Sequence, residues 1–165
     1  MDRELDMSRA PSPAAAGECH IRQASAADLP ALAGLFDRYR QFYQQPADLA
    51  GAEAYLRERF AAAESVIFLA RDAAGEALGF TQLYPALCSV AMRRYWVLYD
   101  LFVVEKARRL GVARALMERA RQHAQETGAA RIDLETATDN VAGQALYESL
   151  GYLRERAFHK YSLAL

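Results

Sequence analysis

The stretch Arg93-Arg-Tyr-Trp-Val-Leu-Tyr-Asp-Leu-Phe-Val-Val104 is the strongest constraint in this chain. It is long, aromatic and β-branched, the composition of a strand packed on both faces. It runs through Glu105-Lys-Ala into Arg108-Arg-Leu-Gly111-Val-Ala-Arg114. From there Val112, Leu116, Ala120 and Ala124 recur at helical spacing, and Gly128 stands where a C-terminal cap belongs. A buried strand that feeds a helix through a short glycine-marked turn calls for a layered α/β sheet.

The flanking segments extend that reading. Cys19-His-Ile-Arg-Gln-Ala alternates as a short strand, and Ser25-x-x-Asp28 resembles a capping box. Leu29, Leu32, Phe36, Tyr39 and Tyr43 then mark a helix, with Pro30 tolerated in its first turn and Pro46 past its end. A second helix covers 49–62, with Ala52, Tyr55, Leu56, Arg59 and Phe60 dividing its sides. Residues 66–70 read as a buried strand, 71–76 as a hairpin turn, and 77–87 as the returning strand, with Pro85 expected at its end or at a bulge. Beyond the long helix, 131–136 predicts a strand, 141–150 a helix stopped by Gly151, and 152–163 a last strand. The expected order is β-α-α-β-β-β-α-β-α-β, a mixed sheet flanked by helices. One domain over 19–165 follows a loose N-terminal tail over 1–18, which offers little to bury.

Composition narrows the chemistry. The formal net charge is −1, so no global charge drives the chain to nucleic acid or to an anionic membrane. Two cysteines, Cys19 and Cys88, and three histidines do not supply a disulfide scaffold or a cysteine- or histidine-rich metal site. No metal is expected. No run approaches the ~20 apolar residues of a membrane span, and the first residues lack a secretory pattern, so the expected compartment is the cytoplasm.

The turn into the long helix is where chemistry is expected. A helix start presents unbonded N–H groups and the positive end of the peptide dipole. Gly111 and Ala113 keep the approach to that backbone open, while Arg108, Arg109 and Arg114 add positive charge. Such a turn suits a diphosphate without a metal. A plain strand-to-helix turn with solvated arginines has the same pattern. Neither G-x-G-x-x-G nor G-x-x-x-x-G-K-[ST] is present.

Arg108-Arg-Leu-Gly111-Val-Ala113 resembles the [QR]-x-x-G-x-[GA] signature of the GNAT superfamily of acetyl-coenzyme A (acetyl-CoA) dependent N-acetyltransferases. Asn140-Val-Ala-Gly-Gln-Ala-Leu-Tyr147-Glu-Ser-Leu-Gly151-Tyr152 is similar to that family's second signature. The resemblance covers about residues 20–163. It implies a splayed central sheet and acetyl-CoA as the acyl donor. The amides of Leu110, Gly111, Val112, Ala113 and Arg114 would hold the pyrophosphate, with Arg108 and Arg109 beside them. The main chain of the strand around Val103, through Phe102 and Val104, would pair with the pantetheine arm. Asn140 would lie near that arm, and Tyr147 near the thioester sulfur. A homodimer is implied as well, and the aromatic sheet edge at Tyr95 and Trp96 agrees with one.

Aminolysis of a thioester needs an uncharged amine, a route for its proton and help for the departing thiolate. Tyr147 is the general-acid candidate, although its position also suits a core tyrosine. Asp100 sits in a strand, where aspartate is depleted. By the period of two it shares a face with Phe102 and Val104, with Tyr99 and Leu101 on the other. It could hold a substrate cation or relay its proton, or simply lie at an open part of the strand. Close family members often carry Asn where Tyr99 stands. Gln82 and Tyr84, two apart, can point together into an acceptor pocket, and Tyr39, Arg40 and Tyr43 form a second polar-aromatic group. Arg40 could instead bind an acceptor carboxylate, and Glu105 is a further possible base. No histidine can be assigned to activate Cys88, so direct transfer without an acyl-enzyme is expected. The acceptor is a small-molecule primary amine or a protein lysine. The alternative is a coenzyme-binding or sensing module that does not transfer.

Overall fold

The computed structural model describes residues 19–165, so the expected tail over 1–18 lies outside the described residues. Strand β1 (His20–Gln23) and a 3-10 turn (Ala26–Asp28) lead into helices α1 (Leu29–Phe42) and α2 (Leu49–Ala62). Strands β2 (Val66–Arg71), β3 (Ala77–Cys88) and β4 (Arg93–Val103) follow, then a second 3-10 turn (Glu105–Ala107) and α3 (Val112–Glu126). Strand β5 (Ile132–Leu134) and helix α4 (Val141–Ser149) complete the elements. The strands lie in the order β1-β2-β3-β4-β5. The first four are antiparallel, and β4 and β5 are parallel. This is the mixed, helix-flanked sheet that the sequence calls for.

The two faces of the sheet hold different helices. Against one, α3 buries Val112, Leu116, Met117, Ala120 and Ala124. The Arg119 guanidinium lies 4.6 Å from the centre of the Phe68 ring on that side, and His123 packs on Phe68 and Trp96. On the opposite face α1 lays Phe36 and Tyr39 over Phe80, at 6.1 and 6.0 Å between ring centres. Near the start of α1, Asp28 is buried and accepts hydrogen bonds from Arg22 at 2.6 and 2.8 Å, Arg71 at 3.1 Å and the Ser25 amide at 3.0 Å. This cluster ties β1, β2 and the entry to α1, and the Arg22 bond holds the Asp28 carboxyl well below the usual range.

Pro85 sits inside β3, opposite Trp96, rather than at its end or at a bulge. The Trp96 amide donates to Arg131 on the β5 side, so this cross-strand pair is not hydrogen bonded. The missing donor of Pro85 therefore faces the side that β2, whose pairing stops at Leu83, has already left. The expected last strand over 152–163 does not form. Gly151, at φ 86°, ends the last helix, Tyr152 packs on Tyr147, and Leu153, Phe158, Tyr161 and Leu163 are exposed. Strand β5 is shorter than the expected 131–136, and its few residues offer little edge for another strand to pair with.

Candidate active site

Strands β4 and β5 share a ladder only from Trp96 to Leu98, against Ile132 to Leu134. Beyond Leu98 they part, and the C-terminal half of β4 has an open edge. Alternation decides which groups face it. The Val104 amide donates to Leu78, the Asp100 carbonyl accepts from Thr81, and the Phe102 carbonyl lies against Gly79, so all three point toward β3. The main-chain groups of Leu101 and Val103 therefore point into the opening. The main chain of Phe102 and Val104 is thus taken up by β3, contrary to the expectation that it faces the opening. Period-two counting finds a shared face but does not say which residues donate to which neighbour.

The turn after β4 presents its backbone. Gly111 is the N-cap of α3 at φ 85°, and Arg109 has φ 61°. The first α3-side amide with a main-chain acceptor is that of Ala115, which donates to the Gly111 carbonyl. Among the described residues, the amides of Arg109, Leu110, Gly111, Val112, Ala113 and Arg114 have no acceptor. A Cβ built on Gly111 would meet no protein atom within 4 Å, so the space over that backbone is open. The arginines do less than their number suggests. Arg108 turns back to donate to the Val103 carbonyl at 3.2 Å, and Arg114 donates to Ser149 at 2.7 Å on α4. What this turn offers an anion is its amides and the dipole of α3 more than its arginines.

A second feature lies on the α1 face. A groove of about 470 Å³ is lined by Phe36, Tyr55, Tyr84, Val97, Tyr99 and Asp100. A bulge builds it. Leu98 pairs with Leu83 and Asp100 with Gln82, which leaves Tyr99 without a partner. The extra residue carries Asp100 to the same face as Val97 and Tyr84. Asp100 and Phe102 share a face as expected. Tyr99 does not turn away, because as the bulged residue it sits edge-on to Tyr84 at 5.8 Å and lines the same groove.

Asp100 is 6% exposed. Gln82 donates to its carboxylate at 2.7 Å and is held in turn by Ser65 at 2.8 Å. Burial pushes the Asp100 carboxyl up, while the bonds from Gln82 and Tyr39 pull it down. Gln82 is fully buried behind Asp100 and does not line the groove, contrary to the expectation that it would point in beside Tyr84. Tyr84 does line it, sharing a 2.7 Å hydroxyl contact with Tyr55. Burial raises the hydroxyls of both Tyr39 and Tyr84, so both stay protonated. Arg40 is another correction. It pairs with Asp37 at 3.7 Å and is not a wall of the groove. Glu105 lies in the exposed turn after β4.

Tyr147, on α4, is half-buried. Burial raises its hydroxyl, a bond to Thr136 opposes that, and Tyr43 raises it further. Tyr43 also stacks edge-on to Tyr39 at 5.2 Å, and Tyr39 reaches Asp100. Tyr39 thus lies beside Asp100 and Tyr43, and Tyr43 lies toward Tyr147. Asn140 caps α4, accepting from the Gly143 amide at 3.1 Å and donating to Thr136 at 2.9 Å. Phe36, Tyr55 and Val97 were not singled out from sequence as groove residues. Tyr55 was legible only as an amphipathic-helix residue, and nothing local places α2 over β3.

The description "Acetyltransferase (GNAT) family" matches residues 32–152. The chain belongs to this family. It is 45% identical over 144 residues to the uncharacterized N-acetyltransferase YhfO of Bacillus subtilis, covering 87% of this chain and 96% of that one. A probable acetyltransferase of Haemophilus influenzae is 35% identical over 127 residues, covering 75% and 85%. A crystal structure of a probable acetyltransferase superposes with a TM-score of 0.85 at 39% identity, covering 88% of this chain and 97% of the other. The chain is thus a GNAT-type acetyltransferase, with the fold that binds acetyl-CoA.

Proposed function

We propose that this GNAT chain moves acetyl from acetyl-CoA directly to a primary amine seated beside Asp100, with Tyr147 as the general acid. The observation that carries this reading is the joining of two surfaces by the open edge of β4. One is the run of amides from Arg109 to Arg114 without acceptors, and the other is the groove that ends on a buried carboxylate. The residues fit the cofactor. Open space over Gly111 admits a pyrophosphate to the amides, and the main chain of Leu101 and the amide of Val103, on the open edge of β4, suit an amide-bearing arm.

Acetyl-CoA supplies an activated acyl carbonyl and a thiol leaving group. Asp100 attracts the substrate ammonium and accepts one of its protons, directly or through water, since an alkyl ammonium has a pKa near ~10.4 and cannot attack while protonated. Nitrogen forms the new C–N bond as the C–S bond breaks. Tyr147, kept protonated by burial, donates to the departing sulfur and recovers a proton from the amine through Tyr43 or solvent. The products are the N-acetyl amine, the free thiol and one released proton. No cysteine is needed, because Cys88 lies at the far end of β3.

The test is release of free thiol from acetyl-CoA by the purified chain across a panel of amines. Amine-dependent release supports transfer. Binding of acetyl-CoA with release no faster than background would show a coenzyme-binding module instead.

A further inference from the structure

The groove beside Asp100 discriminates among amines by what surrounds it. Four aromatic side chains and Val97 line it beside Asp100. Phe36 and Tyr55 are stacked at 5.4 Å with 8° between their planes, and Tyr84 and Tyr99 meet edge-on at 5.8 Å. Asp100 is the one carboxylate among the lining residues. Beyond each end stands a cation already matched to its own acids. Behind Tyr55, the Arg59 guanidinium lies 4.7 Å from the ring centre and pairs with Glu64 at 2.6 Å and Glu58 at 3.2 Å. At the Tyr99 end, Lys160 pairs with Glu135, which follows the Leu134 that pairs with Leu98.

A substrate with one ammonium therefore finds one carboxylate and apolar walls. A second ammonium along the same molecule would approach Arg59 or Lys160, whose nearby acids are engaged. A carboxylate on the acceptor would approach Asp100 with no cation among the lining residues to offset the repulsion. A rigid apolar body keeps more contact with these aromatic side chains than a flexible stem does, and loses less rotamer freedom when held.

Resting on the acetyl-transfer reading above, we infer that the acceptor is a monocationic primary amine carried on a rigid apolar body, rather than a polyamine, an amino acid or a protein lysine. The volume of about 470 Å³ lies within the range of roughly 300–1,000 Å³ of small-molecule pockets.

The experiment compares kcat/KM from thiol release for 2-phenylethylamine, spermidine, phenylalanine and Nα-acetyl-lysine methylamide, using the full chain and acetyl-CoA. The inference expects 2-phenylethylamine to exceed each of the others by about tenfold or more. Tyr84→Leu should lower its kcat/KM about tenfold while the Kd for acetyl-CoA stays put. Lys160→Glu, at an exposed position, should shift the ratio severalfold toward spermidine. Equal or better use of spermidine, phenylalanine or the lysine amide overturns this inference and leaves the transfer reading standing. Thiol release with none of the four, by protein shown to bind acetyl-CoA, overturns this inference. Silence across the wider amine panel then overturns the transfer reading too.

Discussion

The turn after β4 and the groove beside Asp100 share one strand but are built from different material. The turn is made of backbone. Its amides lack acceptors because a helix starts there, and its shape depends on Gly111 at φ 85°. The groove is made of side chains from α1, α2, β3 and β4, brought together by packing and by one unpaired residue in a strand. A backbone site recognises what every donor of one class has in common. A side-chain site can be altered residue by residue without disturbing the sheet. That division suits an enzyme family in which one cofactor serves many acceptors.

The comparison breaks most sharply at Asp100. Asp100→Asn should lower kcat/KM for the amine about a hundredfold, at the low end for loss of a proton acceptor, with little change in acetyl-CoA binding. Titration sharpens it further. Burial holds the Asp100 carboxyl up, so an activity that needs the carboxylate appears as pH rises through a value higher than is ordinary for aspartate. That acidic limb should vanish from the pH profile of the Asn variant. The stability effect has the opposite sign. A raised folded pKa adds stability at low pH that is lost as pH rises through it, so the Asn variant should be no less stable at neutral pH. Thermal unfolding of both forms separates lost function from lost fold. A variant whose cofactor affinity fell with its turnover would show the two regions to be one.

Gly111→Glu tests the other region. A side chain there must hold φ 85° and would fill the open space over the amides with an acid. Calorimetric Kd for acetyl-CoA should rise about thirtyfold, or about 2 kcal/mol. Amine KM should change little in whatever turnover remains. An unchanged Kd would move the diphosphate away from this turn. Tyr147→Phe sits between the regions and is smaller in effect. It should lower kcat about tenfold with Kd for acetyl-CoA unchanged, and a thiol with a lower pKa as leaving group should restore part of the loss.

Legibility followed the same division. The strand over 93–104, the turn at 108–114 and the helix from Val112 are contiguous, so period and glycine placement announce them together. The groove was only half visible. Tyr84 and Asp100 stand out as polar groups in apolar strands, whereas Tyr39 and Tyr43, tyrosines on one helix face, do not line the groove. Tyr55 could not be placed, because its position over Tyr84 depends on how α2 packs. Tyr99 was assigned to the wrong face, since counting by twos cannot anticipate a bulge. Gln82 and Arg40 failed for a related reason. Their types fit a polar pocket, but their partners, Asp100 and Asp37, were decided by the fold. The last strand failed because alternation over 152–163 is no use where the neighbouring edge is short.

The smallest functional effect is expected far from both regions, at Asp28. Its bonds to Arg22, Arg71 and the Ser25 amide hold the sheet edge to the start of α1, the helix that carries Phe36 and Tyr39. Asp28→Asn keeps the shape but loses the charge. Because Arg22 is half-exposed and water can replace its partner, the loss should be modest, roughly 1–2 kcal/mol of unfolding free energy by urea denaturation at pH 7. The folded pKa lies below the ordinary value, so this stabilisation exists above the ordinary carboxylate pKa and is lost as pH falls toward the folded one. The two proteins should therefore converge in stability on acidification, while kcat at pH 7 stays within about twofold. A larger fall in kcat than in stability would mean that the seating of α1, and not only the side chains it carries, tunes the acceptor groove.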